Sequence, residues 1–246
     1  MTNLIYDGTF EGLLTAVFYG YSYKDTVNIV SYNEYIPSLI DDVIEIKTEL
    51  DKFTRVYNSI KEKLNASVLR NVYYLYLCGI PDSKTLVLDY LKLCYKFGSK
   101  VNLAKNNTTI ILVDKYCRKV TGEAHNFKGF VRFKEISPLN YYSSIEPDHN
   151  ILPLLMDHFQ KRFSDQNFII HDLKREIAIF YNKESSIITD FKKIQAENLI
   201  HSNSDKKFSS LWKTFYNSVN IEDRKNLKLR KQHMPKRYWN HLTELK

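Results

Sequence analysis

The spacing of apolar residues changes partway along the 246-residue chain, and this change is the strongest constraint on its fold. In the first part apolar residues recur every three or four positions, as between Leu50 and Leu64, which is typical of amphipathic helices. After about residue 124 the chain instead carries short β-branched and aromatic runs bounded by polar residues, which are typical of strands. The sequence therefore predicts an α+β protein, with a helix-rich N-terminal region over 1–104 and an α+β domain over 105–246.

Two strands and five helices are predicted before the pattern changes. The strands cover Leu4–Tyr6 and Asn28–Tyr35, and the helices cover Phe10–Tyr19, Lys47–Leu64, Ala66–Leu77, Ser83–Phe97 and Thr108–Glu123. Beyond them the order is β-β-α-β-β, with strands over Phe130–Glu135, Tyr141–Glu146, Asn167–Asp172 and Ile177–Tyr181 and a helix over Asn150–Phe163. This order predicts an antiparallel sheet with the helix on one face. C-terminal helices are predicted over 190–200, 206–219 and 222–234.

Composition limits where such a chain is expected to work. No apolar run approaches the roughly 20 residues that a membrane span needs, so we expect no membrane partner. The first residues lack a basic stretch followed by an apolar one, so no signal peptide is expected either. Cys78, Cys94 and Cys117 are few and widely spaced, which predicts buried thiols rather than disulfides or zinc ligands. A cytoplasmic location fits these features.

The segment from Arg224 to Trp239 carries the most concentrated positive charge. Net charge is +8 over the whole chain, and 224–237 holds seven basic residues and no acidic one. Cations neutralise phosphates, and aromatic rings can stack on bases, so the segment predicts a polyanionic partner such as DNA. Its candidate nucleic-acid contacts are Arg230, Lys231, Lys236, Arg237, Tyr238 and Trp239. The alternative is a solvated basic helix whose apolar residues, Trp239 among them, pack inward.

A second basic stretch lies just after the change in pattern. If the chain is extended around Phe130, every second side chain lies on the same face. One face then carries Lys128, Phe130, Arg132 and Lys134. A basic face that contains an aromatic ring could receive a nucleic-acid backbone and base. The alternative is a half-exposed strand with ordinary solvated charges.

Histidines and carboxylates gather in the middle of the chain. Those considered as catalytic residues are His125, Glu146, His149 and His171, because these residue types serve as general acids and bases. Their spacing matches no recognised metal motif, so no metal site is predicted, and the cofactor requirement stays open. Asp148 is better placed to cap the following helix.

Several segments together resemble a bacterial family associated with DNA repair and DNA metabolism. The matching segments are 6–14, 122–133, 145–155, 163–172 and 233–239, beginning Tyr-Asp-Gly-Thr-Phe-Glu-Gly and ending His-Met-Pro-Lys-Arg-Tyr-Trp. The resemblance implies a gene beside that of a radical-SAM protein. It also implies a C-terminal domain of unknown function that elsewhere is fused to uracil-DNA glycosylase-like proteins. No CxxxCxxC motif is present, so this chain would be the companion of the radical-SAM enzyme and not that enzyme.

Three functions follow as hypotheses. The leading one is a DNA repair or DNA metabolism protein that binds DNA and works with a radical-SAM partner. The second is a DNA-processing enzyme, glycosylase-like or hydrolytic, that uses the His/Glu group. The third is a protein-interaction scaffold whose basic tail docks on an acidic surface. Whether the chain is an enzyme at all stays open.

Overall fold

The computed structural model describes residues 2–23, 26–37, 41–200, 214 and 226–243. The chain divides into two compact units, Met1–Thr121 and Gly122–Lys246, and it combines helices with two sheets. The mixed α and β content is as predicted. The division falls later than the predicted 104/105 boundary, inside a long helix.

The N-terminal unit contains a small parallel sheet and several helices. Its elements are β1 (Thr2–Tyr6), α1 (Phe10–Tyr21), β2 (Val27–Ser31), β3 (Asp42–Glu45), α2 (Leu50–Lys63), α3 (Ala66–Leu77), α4 (Ser83–Phe97) and the first part of α5 (Thr108–Phe130). The strand order is β2-β1-β3, and both pairings are parallel. The region is therefore less purely helical than predicted. The missed strand, β3, is exposed at all four residues and so lacks a buried apolar face.

The three cysteines lie in this unit, and each is a buried free thiol, as predicted. Burial raises the pKa of Cys94 to about 11 and that of Cys117 to about 12. Since the thiolate is the reactive form, these groups serve as small apolar side chains.

The C-terminal unit is built on a five-stranded sheet. Its elements after α5 are β4 (Lys134–Ser137), β5 (Asn140–Ile145), α6 (Leu152–Arg162), β6 (Asn167–Asp172), β7 (Ile177–Tyr181), β8 (Ser186–Asp190), α7 (Lys193–Ile200) and α8 (Leu227–His233). The strands lie in the order β4-β5-β6-β7-β8. The predicted bounds of β6 and β7 and the hairpin between them are confirmed. The strand β8 was missed, and the predicted helix over 206–219 lies outside the described residues apart from residue 214.

The prediction that this sheet is wholly antiparallel is wrong at its centre. Strands β5 and β6 pair in parallel, with Asn140 opposite Asn167 and Ile145 opposite Asp172. The helix α6 lies between them in the chain. A helix that runs back along a sheet returns the chain to the edge where the first strand began, so the next strand runs parallel to it. The carboxyl ends of β5 and β6 therefore lie side by side.

The predicted strand over Phe130–Glu135 is also wrong in its first half, because α5 continues to Phe130. Ala124, Phe127 and Val131 are buried at helical spacing, and the Val131 N–H donates to the Phe127 carbonyl at 3.1 Å. Burial of this apolar stripe outweighs the local alternation from Lys128 onward. Strand β4 begins only at Lys134, so Lys128, Phe130, Arg132 and Lys134 do not share a strand face.

The sheet has two different faces. On one face Phe168 and Ile170 belong to a core that also contains Phe127 of α5 and Phe159 of α6. The opposite face has a smaller core, formed by Tyr142, Ala178, Phe191 and Ala196. Within the described ranges, no helix is long and apolar enough to cross a membrane.

Candidate functional site

The basic C-terminal segment folds into α8 and a 3-10 turn over Lys236–His241. Lys231 and Lys236 are exposed to solvent. The guanidinium of Arg230 lies 5.4 Å from the ring centre of Trp239, whose Nε1–H donates to the Met234 carbonyl at 2.9 Å. Trp239 is partly buried, and these two contacts fix it within its own segment.

Tyr238 attaches this segment to α5. Its side chain is buried, and its ring centre lies 4.8 Å from that of Phe127 and 6.1 Å from that of Phe130. Its hydroxyl donates a 2.5 Å hydrogen bond to Glu123 Oε1. Burial, followed by this hydrogen bond, raises the pKa of Tyr238 well above its usual range. Because the Tyr238 ring is buried against Phe127 and Phe130, it is not available to stack on a base.

Glu123 also organises the loop between β5 and α6. Its two carboxylate oxygens accept the main-chain N–H groups of Asp148 and His149, each at 2.8 Å. The guanidinium of Arg237 donates to the Asp148 carboxylate and to the Tyr238 hydroxyl. We name Glu123, Asp148, Arg237 and Tyr238 the Glu123 network. The prediction that Asp148 caps α6 is wrong, because the helix begins at Leu152 with no side-chain cap.

A buried ion pair supports the same loop from β6. Asp172 has no exposed side-chain surface, and it accepts from Arg175 Nη1 at 2.7 Å. Arg175 also donates to the carbonyls of Pro147 and Asp148, at 3.1 and 2.7 Å. Burial raises the pKa of the Asp172 carboxyl, against the opposing effect of Arg175. Such a fully partnered pair fixes the shape of the loop.

The residues near the end of α5 that were predicted to contact nucleic acid differ in their surroundings. Lys128 and Lys134 are exposed, and Phe130 packs against Phe127 and Tyr238. Arg132 is half-buried, and its Nη1 donates to the Gly129 carbonyl at 2.6 Å. This bond satisfies one of the main-chain carbonyls that the end of α5 leaves open.

Lys128 at the end of α5 and Arg162 on α6 both act on His158. Burial lowers the pKa of His158 on α6, and the charges of Lys128 and Arg162 lower it further. Lys128 and Arg162 therefore each lie within electrostatic range of His158. Lys128 and Arg162 are both exposed to solvent.

The four residues proposed as a His/Glu group lie on different elements. His125 is exposed on α5, and His149 is buried in the loop held by Glu123. His171 is fully buried, with its Nδ1 2.9 Å from the Tyr142 hydroxyl. Burial lowers the pKa of His171. Three different elements therefore carry the histidines: α5 carries His125, the β5–α6 loop carries His149, and β6 carries His171 beside the end of β5.

Glu146 belongs to a group of three residues that the sequence did not reveal, and we name Ser144, His241 and Glu146 the Ser144 trio. His241 Nε2 lies 3.2 Å from Glu146 Oε2, and His241 Nδ1 lies 3.1 Å from Ser144 Oγ. Ser144 and His241 were missed because 97 positions separate them. The one local signal was the i, i+2 spacing of Ser144 and Glu146, which puts both on one side of a strand.

Among the residues that the structure describes, no group of three or more His, Cys, Asp or Glu side chains is arranged to hold a metal ion.

A family model covers most of the regions just described. The model of DUF4130, a domain of unknown function, matches residues 81–244. The chain belongs to the DUF4130 family. The matched range includes the Glu123 network, the Ser144 trio and the basic C-terminal segment, so the family's domain holds every candidate site above. No curated protein and no solved structure matches the chain.

Proposed function

We propose that this DUF4130 protein binds DNA in repair or DNA metabolism and works with a radical-SAM partner. The observation that carries the proposal is the packing of Tyr238 against Phe127 and Phe130. It joins the basic segment that includes Lys231 and Lys236 to the end of α5. Two positive stretches more than a hundred positions apart in sequence therefore belong to one part of the unit.

The exposed lysines rather than the aromatic residues are the proposed DNA contacts. Lys128, Lys231 and Lys236 are exposed, and so is Arg162 on α6, which like Lys128 lies within electrostatic range of His158. Clustered cations bind phosphates by displacing condensed counterions, without requiring a particular base sequence. Arg237 and Tyr238 position the segment, because both are engaged in the Glu123 network. We therefore expect affinity that depends strongly on salt and weakly on sequence.

Fluorescence anisotropy with a labelled DNA duplex at several salt concentrations tests this proposal. The logarithm of the binding constant should fall linearly with the logarithm of salt concentration. Lys128→Ala and Lys236→Ala should each weaken binding and reduce the slope by about 0.9 for a lost phosphate contact. Lys61→Ala is the matched control, because this exposed lysine lies on α2 in the other unit. Absent binding, or slopes unchanged in both variants, would contradict the proposal.

The radical-SAM partnership rests on the resemblance of segments 6–14 and 122–133 to the repair-associated family. The resemblance implies a radical-SAM gene beside this one, and co-expression with its product, followed by size-exclusion chromatography, tests the partnership. Co-elution of the two chains that survives nuclease treatment is the expected result. Separate elution at micromolar concentrations would count against a stable complex, and DNA binding would then stand alone.

A further inference from the structure

The trio at the end of β5 contains a hydroxyl, an imidazole and a carboxylate in series. Ser144 Oγ lies 3.1 Å from His241 Nδ1, and His241 Nε2 lies 3.2 Å from Glu146 Oε2. A nucleophile in reach of a base, with the base oriented by a third group, is the arrangement that activates serine in unrelated folds. We propose that Ser144, His241 and Glu146 form a nucleophilic site for an uncharged carboxylic ester. This activity goes beyond DNA binding.

The carboxylate fixes which histidine nitrogen can act as base. When Glu146 is ionised, its carboxylate has no proton to donate and acts only as an acceptor. His241 therefore donates from Nε2 and carries its proton on that nitrogen. The lone pair on Nδ1 then accepts a hydrogen bond from the Ser144 hydroxyl. When Ser144 attacks, its proton passes to Nδ1, and Glu146 stabilises the resulting imidazolium.

His171 is the competing base, and its surroundings exclude it. It lies opposite Ser144 in the parallel β5–β6 register. Its Nδ1 already contacts the buried Tyr142 hydroxyl at 2.9 Å, and burial lowers the pKa of the ring. His171 therefore forms a neutral wall of the site, whereas His241 performs the proton transfer.

The exposure of the trio suits a small substrate. The side chain of Glu146 is 46% exposed and that of His241 is 13% exposed, and Ser144 is partly buried. Solvent can therefore reach the trio from the Glu146 side. The negative charge of Glu146 repels an anionic phosphodiester and leaves a neutral carbonyl unaffected, which favours an ester over the DNA backbone.

The chemical step balances without a further reactant. Ser144 Oγ forms a bond to the carbonyl carbon, its proton moves to His241, and the ester's C–O bond breaks as His241 returns the proton to the leaving alcohol. Water then repeats the sequence on the acyl-serine, which releases the acid and restores Ser144. No electrons are exchanged with a cofactor.

Labelling with a fluorophosphonate probe tests the proposal, because the probe's P–F bond breaks as Ser144 Oγ bonds to phosphorus and fluoride leaves. Peptide mapping should place the label on Ser144, and Ser144→Ala should lose it. Ser143→Ala is the matched control, because Ser143 is the buried neighbour on the same strand, with no hydrogen-bond partner for its hydroxyl in the described structure. His241→Gln keeps hydrogen-bonding atoms but removes the base, and it should label about 100-fold more slowly or worse.

A structural role alone predicts a different outcome. If the trio only anchors the C-terminal segment, wild type should label no faster than heat-denatured protein, and that result would overturn the proposal. A label elsewhere, or equal rates for wild type and His241→Gln, would overturn it too. Circular dichroism of each variant checks folding, and mapping of labelled wild type decides the matter even if Ser144→Ala fails to fold. p-Nitrophenyl acetate should show a burst of nitrophenol equal to the amount of labelled serine.

Discussion

The Tyr238 hydroxyl donates a 2.5 Å hydrogen bond to Glu123 Oε1 across 115 positions of sequence. The Glu123 carboxylate also accepts hydrogen bonds from the main-chain N–H groups of Asp148 and His149. One carboxylate on α5 therefore fixes both the β5–α6 loop and the basic C-terminal segment. The positions of Lys236 and of the Ser144 trio both depend on that segment.

We expect Tyr238→Phe to lower the free energy of unfolding by about 1–3 kcal/mol. The substitution removes the hydroxyl but keeps the ring, so the partly buried Glu123 carboxylate loses one donor. Urea unfolding measures the change. Tyr32→Phe is the control, because Tyr32 is 69% exposed and its change should stay within about 0.5 kcal/mol. Equal effects of the two substitutions would mean that the Glu123 bond does not hold the segment.

Arg175→Met should destabilise the protein by about 3–5 kcal/mol near neutral pH, because it leaves the Asp172 carboxylate buried without its cation. Loss of Arg175 should raise the pKa of Asp172 further, since Arg175 is what opposes the effect of burial. A raised folded-state pKa favours the native state once the carboxyl is protonated. The deficit relative to wild type should therefore shrink as pH falls from neutral towards the raised folded-state pKa of Asp172.

Urea titrations at several pH values test this pattern. Arg162→Met, which removes an exposed arginine from α6, should change stability little at any pH. A deficit for Arg175→Met that is constant with pH would show that Asp172 is not the group left uncompensated.

Sequence reasoning succeeded where local signals set the structure. Helix α3 matches its predicted bounds, because the Asn65 side chain accepts from the Val68 N–H at its start and the residues around Pro81 break the pattern after it. Helix α4 ends where predicted, at Gly98, whose φ of +75° suits glycine. The β6–β7 hairpin was likewise readable from two β-branched runs and a polar turn.

The missed features depend on pairings between distant residues. The alternation after Lys128 predicted a strand, but tertiary burial of Phe127 and Val131 kept the chain helical. The parallel pairing of β5 with β6 follows from the path of α6 between them. The predicted β-β-α-β-β order placed a helix there, but it did not specify in which direction that helix returns the chain. Ser144 and His241 meet only because the C-terminal segment packs on β5. No local pattern could have placed them together.

Stability should fall as pH drops below about 6.5, in part because of His171. Burial lowers the pKa of this histidine from its ordinary value of 6.5, so the unfolded chain takes up a proton before the native state does. Stability contributed by neutral His171 is present above pH 6.5 and is lost as pH falls towards the folded-state pKa, at up to about 1.4 kcal/mol per pH unit. His171→Gln, which does not titrate and can still bond to Tyr142, should flatten this part of the profile. An unchanged slope would assign the pH dependence to other groups.

Two glycine-to-alanine substitutions should have opposite effects on stability. A Cβ at Gly12 would lie 2.2 Å from Asp7 Oδ1, the atom that accepts hydrogen bonds from Thr9 at the start of α1. Gly12→Ala must displace that carboxylate, and we expect the free energy of unfolding to fall by about 1–3 kcal/mol.

Gly122 lies within α5 and is exposed, and a Cβ added there would meet no neighbouring atom within 4 Å outside its own helix turn. Gly122→Ala should therefore stabilise the protein by about 0.5–1 kcal/mol, because alanine loses less backbone entropy in a helix. Thermal and urea unfolding of both variants measure the difference. A neutral Gly12→Ala would mean that the Asp7 turn can shift without cost, and a destabilising Gly122→Ala would mean that α5 is not helical at that residue.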